Sequence, residues 1–371
     1  MLLFLCFETD TKEWRMKDVR WWGSVLVLVW MAVTVQAARN PIAVVSAEPC
    51  LGAISIDAAS GEVLEEINAD AAGYPASMVK MMDALILLER VRDGKLRLDE
   101  RVPVTAEASR MGGSQVYLKE GESFTVDELL YALMIQSAND AAVALALHVA
   151  GTKEAFVELM RQRAAELGMA HTRFESVHGL PPSVGQQPDV STARDMALLG
   201  RALAQTPEIF RYTSTRERGF RDGSFIMRTH NNLLGDSEGC DGFKTGYFKA
   251  GGYSITATAE RNGRRVIVVV MGSKQKNVRD LKARELLSAG FMKLPAVVPP
   301  PVAQVMSPSA PSTKQFAPAS PEEEDDAASE GRAEKLSGWW WKTILVLVVL
   351  TACIRVLLPA ISVRQEPGSR R

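Results

Sequence analysis

Ser77 and Lys80 stand three residues apart in "YPASMVKMMDALILLE", residues 74–89, a stretch that is apolar nearly all round. On a helix that spacing puts two side chains side by side, so a hydroxyl and an amine can touch. A serine is a weak nucleophile until a base removes its proton. A lysine is such a base only where burial or another cation destabilises its ammonium. Met78, Val79, Met81 and Met82 supply the apolar surroundings. Tyr74 and Pro75 put the serine in a first helical turn, where free backbone N–H groups can hold an oxyanion. A solvent-facing serine beside a snorkelling lysine is the alternative that the pair alone leaves open.

Two further segments carry chemistry-bearing residues. "QSAND" places Ser137 and Asn139 in a loop between two helical patterns, where a second hydroxyl could relay a proton and an amide could orient a substrate or hold a lysine. "DGFKTGY" places Lys244, Thr245 and Gly246 on a strand, where the lysine adds positive charge and the glycine lets a substrate backbone lie against the strand edge. Each triplet is weak by itself. In this order, on helix, loop and strand, Ser-x-x-Lys, Ser-x-Asn and Lys-Thr-Gly form the three-part signature of penicillin-binding proteins and serine β-lactamases.

With "PASMVKMM", "SANDAAVALA", "TRFESVHGL" and "DVSTARDMALLGRAL", the region from about residue 48 to 293 resembles the low-molecular-mass penicillin-binding proteins that are D-alanyl-D-alanine carboxypeptidases, peptidase family S11. The resemblance implies a β-lactamase/transpeptidase-like α+β fold, a mostly antiparallel five-stranded sheet covered by helices, with a helical subdomain. It also implies roles. Ser77 would be acylated by the penultimate D-alanine carbonyl of a peptidoglycan stem peptide, with Lys80 as the base. Ser137 would pass a proton to the leaving D-alanine, and Asn139 and Lys244 would hold the site. Thr245, helped by Arg279 in "GSKQKNVRD", would bind the terminal carboxylate; the N–H groups of Ser77 and Tyr247 would form the oxyanion hole. β-Lactams would be covalent inhibitors, and neither cofactor nor metal is implied. The sequence departs from many relatives at Ala138, where glycine is common, and at Tyr247 after Lys-Thr-Gly.

Alternatives stay open at this level. A class A β-lactamase would carry a Glu-x-x-Leu-Asn loop, absent between residues 160 and 220, and Glu175 in "FESVHGL" reads as a surface or loop residue. A D,D-endopeptidase would use the same residues. A non-catalytic β-lactam or peptidoglycan sensor would have no need of a nucleophile and its base.

The elements that must position these groups are legible between residues 45 and 293. "LGAISIDAASGEVLEEI" predicts a hairpin turning at Ser60 and Gly61. Helices follow from near Ser77, over "FTVDELLYALMI", and over "DAAVALALHVAG" and "KEAFVELMRQRAAELG", the last two closing on glycine. "FKTGYF" and "GGYSITATAERNGRRVIVVVMGS" predict three strands, the last two joined at Asn262-Gly263. "NVRDLKARELLSAGF" predicts a final amphipathic helix. Strands at both ends of the domain imply one largely antiparallel sheet completed by both chain ends.

The chain of 371 residues, 47% hydrophobic and 23% charged with a formal net charge of −1, can bury a core without staples. No basic stripe interleaved with aromatics points to nucleic acid. The ends carry membrane signals. Residues 17–37, "KDVRWWGSVLVLVWMAVTVQA", resemble a secretory signal peptide with Val35 and Ala37 before a cut, and Met16 reads as the start. An uncleaved anchor is the alternative. Residues 343–363 match the ~20 residues that cross a bilayer core. Trp339, Trp340, Trp341 and Lys342 precede them, Arg364, Arg370 and Arg371 follow, and Arg355 can snorkel inward. The expected organisation is a leader and signal peptide (1–37), a catalytic domain (38–293), a disordered Pro/Ala-rich and acidic stalk (294–338), a transmembrane helix (339–363) and a cytoplasmic tail (364–371). That puts the domain on the outer side of a bacterial cytoplasmic membrane, anchored by the C-terminal helix. Of four cysteines, Cys50 and Cys240 fall in the domain; an exported pair could bond, but their spacing defines no framework. The histidines, His148, His171, His178 and His230, are scattered and have no zinc spacing.

Overall fold

A computed structural model describes residues 42–294. The expected leader, the stalk beyond Leu294, the membrane helix and the tail lie outside the described residues. Among the described residues, no helix is long and apolar enough to cross a membrane.

The chain enters through the expected hairpin, β1 (Gly52–Asp57) and β2 (Val63–Ile67). A 3-10 turn (Ala76–Val79) then runs into α1 (Lys80–Arg92). β3 (Arg101–Pro103) pairs with β4 (Ser123–Thr125) around the short helix α2 (Ala106–Ser109). α3 (Val126–Tyr131), the longer α4 (Asn139–Ala150) and α5 (Lys153–Glu166) complete the helical region. α6 (Ala193–Ala204) and α7 (Ile209–Thr213) precede a small hairpin of β5 (Glu217–Phe220) and β6 (Phe225–Arg228), and α8 (Leu233–Asp236) leads back to the sheet. β7 (Cys240–Phe248), β8 (Gly252–Arg261), β9 (Arg264–Ser273) and α9 (Lys276–Lys293) end the described chain. The β3/β4 and β5/β6 hairpins had no strong sequence signal, since strands of three or four residues are too short to show alternation.

The main sheet has five strands in the order β2-β1-β9-β8-β7, every neighbouring pair antiparallel. Pairing of Gly52 with Met271 and Asp57 with Val266 closes it from both ends of the domain, as the strand positions imply. Asn262 and Gly263 both have positive φ, 51° and 70°, the geometry that a two-residue hairpin turn requires. Alternate residues of β9 then face two cores. Val266, Val268 and Val270 pack under α9 with Ala283, Leu286 and Leu287. Ile267, Val269 and Met271 face the helical region. There α6 lies close on the sheet because Gly200 leaves room; a Cβ at that position would sit 3.1 Å from the Ile267 side chain.

α1 is the axis of the helical region. Every residue from Lys80 to Leu88 is buried, which is why its sequence is apolar all round rather than striped. Each of its fully buried leucines, such as Leu85 and Leu87, contributes roughly 1.5–3 kcal/mol of burial energy. Cys50 and Cys240 are both free thiols, so the open question of a bond is answered by two unlinked side chains in or beside the core under α9.

Candidate active site

From Gly73 to Leu88 every residue is buried except Ser77. That single opening follows from local backbone geometry. Ala76 adopts a left-handed φ of 49°, and the segment turns as a 3-10 helix before α1 begins at Lys80. An alanine in this region is strained, and such strain survives only where surrounding contacts hold it. Two glycines do so here. A Cβ on Gly179, itself at φ +72°, would lie 2.0 Å from the Ala76 carbonyl oxygen. A Cβ on Gly246 would lie 2.3 Å from the Pro75 carbonyl oxygen. Gly246 is therefore required by the close approach of β7 to the turn that carries Ser77. The sequence reading gave that glycine to a substrate backbone, but the space a side chain would fill is already taken by Pro75.

Lys80 is fully buried, and its Nζ has three neighbours: Ser77 Oγ at 3.1 Å, Asn139 Oδ1 at 2.8 Å and the His178 carbonyl oxygen at 2.7 Å. The Asn139 amide orientation is fixed at its other end, where Nδ2 donates to the Gly112 carbonyl at 2.7 Å. Both the amide oxygen and the carbonyl oxygen can only accept, so each accepts a hydrogen bond from the lysine in either charge state. The third direction remains for Ser77. In the ammonium it carries a proton to Oγ; in the free amine it is a lone pair, placed to accept the serine proton. Burial brings the lysine pKa down to about 7, opposed by the carboxylates of Asp83, Asp189 and Asp140. A base poised near neutrality suits proton abstraction. The snorkelling alternative is thereby removed.

Asn139 is the first residue of α4 rather than part of a loop, and Ser137 is the left-handed residue (φ 60°, ψ 33°) between α4 and a π-helical turn, Ala132–Gln136, that extends α3. The Ser137 hydroxyl is buried with no hydrogen-bond partner among the described residues. Upstream, a capping box between Thr125 and Glu128 fixes the start of α3. Downstream, Asp140 accepts from the backbone amides of Val116 and Leu118 and ties their loop to the head of α4.

On β7, Lys244 and Thr245 are buried and Tyr247 is exposed, stacked on Tyr253 at 4.1 Å between centroids. Lys244 Nζ donates to the Thr245 carbonyl at 3.1 Å. Burial, with the positive fields of Lys80 and Arg279, pushes its pKa well below the usual lysine range. Arg279 is also buried, its guanidinium held by Asp280 and by the Ser254 carbonyl. The structure thus joins Ser77, Lys80 and Asn139 by direct contact and brings Gly246 against the Ser77 turn. It ties Lys244 and Arg279 to them through charge, not through a bond. Glu175 is a loop residue paired with Arg161 and Arg173, as expected. The sequence reading missed the His178 carbonyl and Gly179; the glycine in "SVHGL" was the available signal, but what it approaches lies about a hundred residues upstream.

A D-alanyl-D-alanine carboxypeptidase family, peptidase S11, matches residues 36–275. The chain is 39% identical over 254 residues to the D-alanyl-D-alanine carboxypeptidase DacC of Escherichia coli (66% of this chain, 62% of that protein). It is 35% identical over 242 residues to DacF of Bacillus subtilis (64% and 61%). Among solved structures it is similar to penicillin-binding protein D2 of Listeria monocytogenes in an ampicillin-bound form, with TM-score 0.60 and 32% identity over 68% of this chain and 99% of that one. The DacD carboxypeptidase of Francisella tularensis gives TM-score 0.61 and 27% identity over 68% and 74%. The fold is that of the penicillin-binding proteins. The chain belongs to the S11 peptidase family, and its match spans 61–62% of the length of these curated relatives.

Proposed function

We propose that this protein is a serine-type D-alanyl-D-alanine carboxypeptidase that removes the terminal D-alanine from peptidoglycan stem pentapeptides. The observation that carries it is a fully buried Lys80 whose one direction not spent on an obligate acceptor faces the one residue of its segment that is not buried, the half-buried Ser77, at 3.1 Å. Lys80 as the free amine takes the Ser77 proton, and Oγ attacks the carbonyl of the penultimate D-alanine. The N–H groups of Ser77 and Tyr247 hold the oxyanion. The proton taken up by Lys80 passes by way of the Ser137 hydroxyl to the departing D-alanine nitrogen, which returns Lys80 to the free amine, while Asn139 holds the lysine in place. Thr245 receives the terminal carboxylate in the positive field of Lys244 and Arg279. Water, deprotonated by Lys80, then releases the shortened peptide.

β-Lactams acylate Ser77 on this reading, in keeping with the relatives solved with ampicillin and cefotaxime. Residues 17–37 export the chain, the stretch 339–363 anchors it, and the domain works outside the cytoplasmic membrane in cell-wall biogenesis and remodelling. Peptide mapping after penicillin treatment tests the nucleophile. The adduct is expected on Ser77 and is expected to vanish in Ser77→Ala; an adduct elsewhere, or none on folded protein, would remove Ser77 from this role.

A further inference from the structure

The His178 carbonyl, 2.7 Å from Lys80 Nζ, belongs to a peptide unit that is held from its other side. That unit is trans, so its C=O and the Gly179 N–H point opposite ways. The Gly179 N–H donates to Ser176 Oγ at 2.9 Å. The Ser176 hydroxyl is 2.6 Å from Asp189 Oδ2, and Asp189 Oδ1 accepts from the amides of Glu175 and Ser176 at 2.7 and 3.0 Å. Ser176 and Asp189 are both buried. The backbone beyond Asp189 is pinned as well: Val190 exchanges hydrogen bonds with Arg173, and Ser191 with Gly73 at the entry to the Ser77 segment. The His178 ring is spent on the next amide, Nδ1 accepting from Leu180 N–H at 3.1 Å.

We propose that Ser176 and Asp189 are positioning residues for the reaction: as one hydrogen-bonded chain, from carboxyl to hydroxyl to peptide, they aim the His178 carbonyl at Lys80 and so keep the amine directed at Ser77. Without an acceptor for the Gly179 N–H, this peptide could turn about its flanking torsions, the more easily because glycine has no side chain to restrain it. Lys80 would then lose one of its two obligate acceptors, and its remaining direction would no longer be fixed on Oγ. Burial raises the Asp189 pKa while its three donors oppose the rise, and the chain holds in either state. If Oδ2 is protonated it donates to the hydroxyl, whose oxygen still accepts from Gly179. The aimed carbonyl also favours the ammonium of Lys80, offsetting part of the burial that brings it down to about 7. The other groups facing Lys80 are Asp83 on its own helix, Asp140 on α4, Lys244 on β7 and the rings of His178 and His230, and none of these side chains is a link in the chain.

The proposal rests on Lys80 as the base of Ser77, and the experiment keeps the two apart. Acylation by a fluorescent penicillin is followed across the neutral pH range in full-length wild type, Ser176→Ala, Ser176→Thr, Asp189→Ala, Asp189→Asn and Lys80→Met, with melting temperatures beside the rates. Ser176→Ala leaves the Asp189 carboxyl and its two amide bonds in place and removes only the link. It is expected to lower the plateau rate about tenfold and to move the acid limb down by about half a pH unit. Asp189→Ala is expected to lose plateau rate as well. Ser176→Thr keeps the hydroxyl, and Asp189→Asn keeps both an acceptor for the amides and a partner for the hydroxyl, so both plateau rates are expected to stay close to wild type. If Ser176→Ala does not melt as a folded protein, Ser176→Cys, whose sulfur fills the place and accepts only weakly, is judged by the same criteria. Full activity in Ser176→Ala, or a loss at every pH with the limb in place, would overturn the proposal while an inactive Lys80→Met left the base standing. Wild-type acylation by Lys80→Met would overturn Lys80 as the base, and the proposal with it.

Discussion

Lys80 has to be uncharged to work, and folding has already carried that cost. Its folded pKa of about 7 lies below its ordinary 10.5, so between those values the unfolded chain binds the extra proton. Stability therefore rises with pH across that window, by up to about 1.4 kcal/mol per unit from this group. Below pH 7 both states are protonated and the penalty is at its full size. Lys80→Met removes the titration. In urea unfolding from pH 7 to 10, wild type is expected to gain on the variant steadily; a constant difference would mean that Lys80 is not held as an amine. The serine and lysine were legible in the sequence because their meeting is local, one helical turn. The third neighbour of Nζ was not, since a backbone carbonyl such as that of His178 carries no side-chain signature.

Elements hold the site by close approach as well as by the hydrogen bonds of Lys80 and Asn139. The Ser77 turn is clasped between Gly179 and the β7 residue Gly246, with carbonyl oxygens where side chains would be. Gly179→Ala puts a methyl group 2.0 Å from the Ala76 oxygen at a φ of +72°. A loss of roughly 2–4 kcal/mol in unfolding free energy is expected, combining the left-handed backbone with overpacking. Penicillin acylation should fall with it, because Ala76 directly precedes the nucleophile; wild-type stability and acylation together would show that the turn is not held this way. Helices and long strands were readable here because α1, α4, α5, β8 and β9 each carry a pattern longer than one turn or one pleat. The 3-10 start at Ala76 and the π turn before Ser137 were not. They arise from tertiary contacts that override an otherwise helical pattern.

At the scale of the whole molecule, the sheet joins the first and last strands of the domain, so β1 and β9 depend on each other although more than two hundred residues separate them. The sequence implied this closure because strand patterns lie at both ends and helices between. The membrane organisation is a separate proposal from residues outside the described structure. Fractionation is expected to find the full chain in the membrane and a chain ending at residue 338 released from it; retention of the shortened chain would count against residues 339–363 as the anchor.

The central claim is a Ser77-dependent carboxypeptidase, and release of D-alanine from a stem pentapeptide by the purified protein beside Ser77→Ala tests it most directly. Release by wild type and none by the folded variant is the predicted result. No release by a protein that is still acylated by penicillin at Ser77, or release that survives Ser77→Ala, would contradict it.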